Sequence, residues 1–422
     1  MFGWEFPPHI AGGLGTACYG IAKGLTKNGV EVLFVMPKAS GDEDQRIAHI
    51  VSADQVEVDP RYSTYFNSNQ NIAFIEFNSK LIPYIGMHDY YTLIDQLESN
   101  VFEEVSSHRR HYSFAGGYGG NLMQEIDYYA AVAEQLAKTQ EFDVIHAHDW
   151  HTYKAGIIAK KVSGKPLVVH IHATEFDRSC EGQRNDIVMN IEREGMMAAD
   201  IVCAVSDLTR NIVINNYHIP ANKVITLHNA IEPNKKEVIR EKNVPEKVVT
   251  FLGRVTFQKG PEYFVETARK ILEKDDHVRF VLVGDGDMMS GVIERVAELG
   301  ISDKFHFTGF LRGEEINKMF GMSDVYVMPS VSEPFGISPL EAMQAAVPVV
   351  ISKQSGVAEV LHYVIKIDFW DTNAMSDAIY GLLHYPVLSE FISKNGFTEI
   401  NNLKWEYVGA KLLEIYKMLN KH

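Results

Sequence analysis

Cysteine is scarce: the chain carries Cys18, Cys180 and Cys203 and no C-x-x-C spacing. That excludes a disulfide framework and a zinc knuckle and leaves the three as reduced packing residues. No apolar run reaches the roughly eighteen residues of a membrane span, and no leader with a charged n-region opens the chain, so no stable membrane insertion is expected and the cytoplasm is the expected compartment. Positive charge is in deficit, with 40 Lys and Arg against 55 Asp and Glu, a net charge of -15 and a pI near 5.6. That balance argues against a nucleic-acid partner, because phosphate binding needs a basic face, and none is expected. An anionic membrane surface is disfavoured for the same reason.

What is present is ordinary for a soluble globular protein, 46% hydrophobic with a mean hydropathy of -0.11. At 422 residues the chain is too long for one core, so two domains of about 200 residues are expected, with a ligand in the cleft between them. Apolar runs of five to seven residues alternate with longer stretches of helical period, the pattern of parallel sheets covered by helices. "EVLFVMP", "IAFIEF", "DVIHAH", "PLVVHIHA", "IVCAVS" and "VITLHNA" supply one set of strands. "VVTFLGR", "RFVLVG", "FHFTGF", "VYVMPS" and "PVVIS" supply a second. The expected fold class is α/β, two Rossmann-like doubly wound domains. Domain boundaries are placed at residues 1–234, 235–400 and 401–422, with the charged "EPNKKEVIREKNVPEK" as linker and the last stretch as an amphipathic helix able to pack back on the first domain.

Two stretches fit less well. "MFGWEFPPHIAGGLGT" leaves only about four strand residues before Pro7, short even for a central strand, which a start assigned late would explain. From Asp54 to Tyr129 the pattern is irregular and rich in Tyr, Phe and Asn, either an elaborated surface or an acceptor-binding face of aromatic rings.

In open parallel sheets ligands bind beyond the carboxyl ends of strands. After the first strand, Gly12, Gly13 and Gly15 allow close backbone approach, and the free amides of the helix start suit an anion. The spacing falls short of G-x-G-x-x-G and has no acid downstream, which argues against a dehydrogenase. "GDGD" after Val283 reads as a tight turn. His146 with His148, and His170 with His172, share a face by period two. The pairs lie on separate strands and close no ligand set by sequence alone, so no metal and no cofactor is expected there. Asp149 stands where it would N-cap the next helix.

"GRVTFQKG" puts Arg254 after a strand and Lys259 five residues later, a fork and a point charge suited to clamp a diphosphate. In "PSVSEPFGISPLEAMQA", Ser338, Pro339 and Glu341 fit N-cap, N1 and N3 of a helix, a capping box that accounts for Glu341 without a ligand. Glu333 stands in a loop with no adjacent basic partner and is suited to accept from hydroxyls.

"GGLGT", "HAHDWH", "HIHATEFDR", "VSDLTRN", "GRVTFQKG", "VGDGD" and "EPFGISPLEAM" follow the order found in retaining glycosyltransferases of the GT-B fold, and over nearly its whole length the chain resembles the glycogen synthase-like group. The resemblance implies two domains facing across a cleft. It gives Arg254 and Lys259 the donor diphosphate with help from amides near Gly13, Glu333 the sugar hydroxyls, and Glu341 the ribose. It turns Asp149 and His172 toward the sugar, Gly309, Phe310 and Leu311 toward the base, and Phe335 and Gly336 toward the donor. Arg178, in the "His-Ala-Thr" pattern with a following Arg, becomes a possible substrate contact.

The implied activity is retaining transfer of glucose from UDP-glucose or ADP-glucose to the non-reducing end of an α-1,4-glucan, with a nucleotide sugar and a polysaccharide as partners. One departure stands out: bacterial glycogen and starch synthases carry Lys two residues before the paired glycines, and this chain has Ile10. That keeps open another nucleotide sugar, such as one of mannose, or a small or lipid acceptor; a binding protein without turnover is the remaining alternative. The base, the acceptor and the oligomeric state are not fixed by the sequence.

Overall fold

A computed structural model describes residues 1–9, 12–58, 111–115, 121–180, 182–232, 242 and 244–420. Ile10, most of the aromatic stretch after Asp54 with its strand "IAFIEF", and most of the charged linker lie outside the described residues. The chain divides into two compact units, Met1–Leu227 with Trp405–His422, and His228–Lys404.

In the first unit the strands β1 (Leu33–Met36), β2 (His49–Ser52), β3 (Ile145–His148), β4 (Leu167–Ile171), β5 (Ile201–Ala204) and β6 (Val224–Thr226) all pair in parallel. The short N-terminal segment joins β1 to β3, since Phe2 bridges both Val35 and Ala147. The Phe2 amide donates to the His146 carbonyl at 2.7 Å and the Gly3 amide to the Val35 carbonyl at 3.0 Å. Few residues suffice because both neighbours hydrogen-bond this segment. The strand order thus reverses at the segment that leads into helix α1 (Gly13–Lys27).

The central strands are buried on both faces, which is why they read as continuous apolar runs. "IHAH" departs from that rule. Ile145 and Ala147 join the main core with Leu167, Val169 and Ile171, while His146, His148 and His170 occupy the opposite face.

The helix Trp405–Leu419 belongs to the first unit and packs on α1 through small residues. A Cβ on Gly20 would lie 2.1 Å from the Trp405 ring, and one on Gly409 would lie 2.1 Å from the Gly24 backbone. Tyr416 of this helix reaches the sheet and meets Nδ1 of His146 at 2.5 Å.

The second unit is a six-stranded parallel sheet of β7 (Lys247–Leu252), β8 (Val278–Val283), β9 (Phe305–Gly309), β10 (Val325–Met328), β11 (Val349–Ser352) and β12 (Ile365–Ile367) in the order β12-β11-β10-β7-β8-β9. This is the doubly wound order, and it reverses between β7 and β10. "GDGD" is more than a turn. Gly284 has φ 131°, and a Cβ there would lie 1.9 Å from the Gly253 carbonyl oxygen, so the loop is pressed on the turn after β7.

Candidate active site

The carboxyl ends of β7 and β10 flank the point of reversal in the second unit. Arg254 follows β7 and is exposed. A 3-10 turn, Phe257–Lys259, then leads through Gly260, at φ 64°, into the helix Pro261–Leu272. A Cβ on Gly260 would lie 2.2 Å from the Pro329 carbonyl oxygen, so the two loops press together. The Val331 amide donates to the Gln258 carbonyl at 2.9 Å, tying them again. As a result the Lys259 ammonium donates to Oε2 of Glu333. The absence of a basic partner for Glu333, expected from its neighbours in sequence, is corrected: its cation comes from the adjacent strand end.

Glu333 is only 6% exposed and is held on both sides. Its amide donates to the Gln354 carbonyl at 3.0 Å, and its carbonyl accepts from the Gly356 amide at 2.8 Å. Phe335, also buried, accepts through its carbonyl from the Val357 amide at 2.7 Å. Gly336 takes φ 99°, and a Cβ there would stand 3.1 Å from Cγ of Glu333.

The capping box is a second correction. The helix Ser338–Gln344 starts one residue earlier than expected, with Ile337 at the N-cap and no side-chain cap. Ser338 instead accepts from the Tyr326 hydroxyl at 2.8 Å. Pro339 still occupies the first turn. Glu341 is therefore released from capping, and partial burial raises its carboxyl above the ordinary range. Gly309, at φ 68°, ends β9, and Phe310 follows it 53% exposed, with the Arg312 guanidinium 5.1 Å from its ring centre.

In the first unit, α1 begins at Gly13 with Gly12 as its extended N-cap residue. Among the described residues a Cβ on either glycine would meet nothing within 4 Å, whereas Gly15 is buried. Asp149 occupies the N-cap position of the helix Trp150–Ser163 at φ 59°, but its side chain does not cap it. The carboxylate turns to the end of β4, accepting from the His172 amide at 2.7 Å and the Ala173 amide at 3.4 Å. Burial lifts the Asp149 carboxyl to about 6, against the pull of Arg178 and the two amides. His172 is driven down to about 3 by burial and is neutral, with Nε2 3.0 Å from Nδ1 of His148.

Arg178 is almost wholly enclosed. Its guanidinium donates to the Ala173 carbonyl at 3.1 Å, to Glu175 at 3.3 Å and to Glu192. Burial works against its charge, but Glu192, Glu175 and Asp149 outweigh that and hold it above its usual value. Burial likewise lifts Glu192 to about 7. Tyr217 donates to the same carboxylate, and Thr174 and Asp177 form a capping box at Glu175–Arg178. Thr-x-x-Asp is legible in "TEFD", whereas Glu192 and Tyr217 carry no local signal. The network encloses the turn that presents His172.

Two doubly wound parallel sheets, one with a cation and a carboxylate joined at its switch point, are the fold of the GT-B class. Residues 1–219 match the starch synthase catalytic domain family, and residues 234–397 match glycosyl transferases group 1. The chain belongs to the starch synthase catalytic domain family, in the glycogen synthase-like group. It is 29% identical to an uncharacterized glycosyltransferase of Methanocaldococcus jannaschii over 99% of this chain and 97% of that protein. It is 28% identical to the alpha-maltose-1-phosphate synthase of Mycolicibacterium smegmatis, over 66% of this chain and 79% of that one. Among solved structures, sucrose-phosphate synthase of Thermosynechococcus elongatus superposes with a TM-score of 0.69 at 18% identity, covering 97% of this chain and 94% of its own. HepE of Anabaena, in complex with UDP-glucose, gives 0.59 at 18% identity over 69% and 82%. Among the described residues no helix is long and apolar enough to cross a membrane.

Proposed function

We propose that this glycosyltransferase moves glucose from UDP-glucose or ADP-glucose to the non-reducing end of an α-1,4-glucan with retention of configuration. The observation that carries it is the joining of Lys259 to Glu333, beside Arg254, where the strand order reverses. Lys259 and Arg254 take the donor diphosphate and Glu333 takes sugar hydroxyls. Charge grows on the leaving phosphate in the transition state, and fixed cations stabilise it without a metal. Glu341 holds the ribose. Gly309 to Leu311 meet the base, and Phe335 and Gly336 line the donor.

In the first unit we assign His172 to the sugar. Asp149, already committed to two amides, fixes His172 and is not free to act as a nucleophile. The reaction is then a front-face transfer in which the leaving phosphate takes the acceptor proton. The starch synthase match and the alpha-maltose-1-phosphate synthase relative support glucose chemistry. The cytoplasm is the proposed compartment, in keeping with three free cysteines.

A panel of UDP-, ADP- and GDP-sugars, each with and without glycogen, tests this by released nucleotide and product size. Chain extension from UDP-glucose or ADP-glucose is expected. Failure of both overturns the glucan assignment, and release with another sugar or a small or lipid acceptor establishes the second reading, which Ile10 favours. Donor binding without turnover would leave a non-catalytic binding protein.

A further inference from the structure

We propose that His146, His148 and His170 form a site for a zinc-class divalent ion, bound through Nε2 of each ring, in the interior of the first unit. His146-x-His148 lies on β3, and His170 is the register partner of His148 on β4. The three are 1%, 0% and 0% exposed. A strand carrying His-x-His beside a strand carrying a third His brings three imidazoles to one sheet face, as a three-histidine zinc site requires.

Hydrogen bonding separates the two nitrogens of His146 and of His148. Nδ1 of His146 is engaged by the Tyr416 hydroxyl at 2.5 Å, and Nδ1 of His148 by Nε2 of His172 at 3.0 Å. Among the described residues, Nε2 of both rings and both nitrogens of His170 meet no hydrogen-bond partner despite full burial. Buried polar atoms without partners are rare. An outer-shell partner on one nitrogen with the other left open is the arrangement of a metal-bound imidazole. One ligand atom from each ring lies within 4.8 Å of the other two. Imidazole ligands select zinc, copper, nickel or iron over magnesium and calcium.

The rings lie within 9° to 27° of parallel, so convergence on one ion requires a ring to turn. His170, with neither nitrogen held, is the one that turns. No step of sugar transfer runs through the ion. Its occupancy instead fixes a tautomer: with Nε2 of His148 on the metal, Nδ1 carries the proton and donates it to Nε2 of His172. His172 then presents Nδ1–H at the end of β4.

The test uses the full chain stripped by chelator and titrated with zinc chloride, then with cobalt as a spectroscopic probe. One equivalent retained through desalting, a tetrahedral cobalt spectrum and a melting temperature raised by several degrees are expected. His170→Asn and His146→Gln lose that equivalent, while His172→Asn keeps it. Failure of the wild-type protein to retain zinc overturns the site whether or not the variants fold, as does equal retention by a folded His170→Asn. Sugar transfer plays no part in the readout, so the two proposals fail independently.

Discussion

The Lys259 ammonium donates to Oε2 of Glu333 across 74 residues of sequence, joining the loops that follow β7 and β10. Each residue holds the other in place. Lys259→Ala removes a cation from the leaving group, and turnover falls by about 10²–10³-fold. Glu333→Gln keeps nucleotide affinity near wild type and lowers turnover of the sugar donor. Initial rates of nucleotide release, beside calorimetric binding of the free nucleotide, separate the two. Their effects on melting temperature are not additive, because both variants break the same pair.

Gly336 supports the carboxylate from behind. Gly336→Ala forces a side chain to φ 99° and puts a methyl 3.1 Å from Cγ of Glu333. A stability loss of about 1–3 kcal/mol is expected, together with a fall in turnover as Glu333 is displaced. Gly12→Ala meets nothing within 4 Å among the described residues and is expected to leave stability almost unchanged. A drop in donor affinity without a drop in melting temperature at Gly12 assigns that glycine to ligand approach, and thermal melts with donor titrations check both.

Arg178 is expected to act from inside the fold. Arg178→Ala leaves Glu192 and Glu175 buried without their cation, a loss on the order of 3–5 kcal/mol for a broken buried pair. Tyr217→Phe removes one hydrogen bond to Glu192 and costs about 1 kcal/mol. Denaturant melts decide: an Arg178→Ala protein of wild-type stability with weakened substrate binding would return Arg178 to the substrate.

The architecture was legible because buried parallel strands are short apolar runs and their covering helices are long and periodic. Period two likewise put the histidines of β3 and β4 on shared faces. What escaped depends on atoms distant in the chain. Nothing near Glu333 announces Lys259, and nothing in the helix containing Tyr416 announces His146. Ser338 has the chemistry of a cap, yet its hydroxyl accepts from Tyr326 of the preceding strand, and the helix begins at Ser338 itself with no side-chain cap. Asp149 sits at an N-cap position, but the adjacent strand end offers two amides.

Asp149 also sets a pH dependence. Its folded value of about 6 lies above the ordinary 3.8, so the native state binds the extra proton. Its contribution to stability is full below about 3.8 and is lost as pH rises through about 6, worth about 3 kcal/mol at most. Activity runs the other way, since the ionised carboxylate accepts from the His172 amide. An acid limb near pH 6 in kcat/KM is expected for the wild type and should be missing in Asp149→Asn, whose stability declines less between pH 4 and 8. An unchanged limb in that variant would move the titration to Glu192, at about 7.

Glu341 separates a structural carboxylate from a ligand-binding one. A capping partner would cost about 0.5–2 kcal/mol on truncation. The structure gives the helix Ser338–Gln344 no side-chain cap, and burial penalises the Glu341 charge. Glu341→Ala therefore removes a desolvated carboxylate that stabilises nothing in the fold. Its melting temperature stays at or slightly above wild type, while affinity for the nucleotide falls as the ribose hydroxyls lose their acceptor. Comparison of a ribonucleotide with its 2′-deoxy and 3′-deoxy analogues checks this, because the variant should no longer discriminate among them. A loss of stability with discrimination intact would give Glu341 back to the helix.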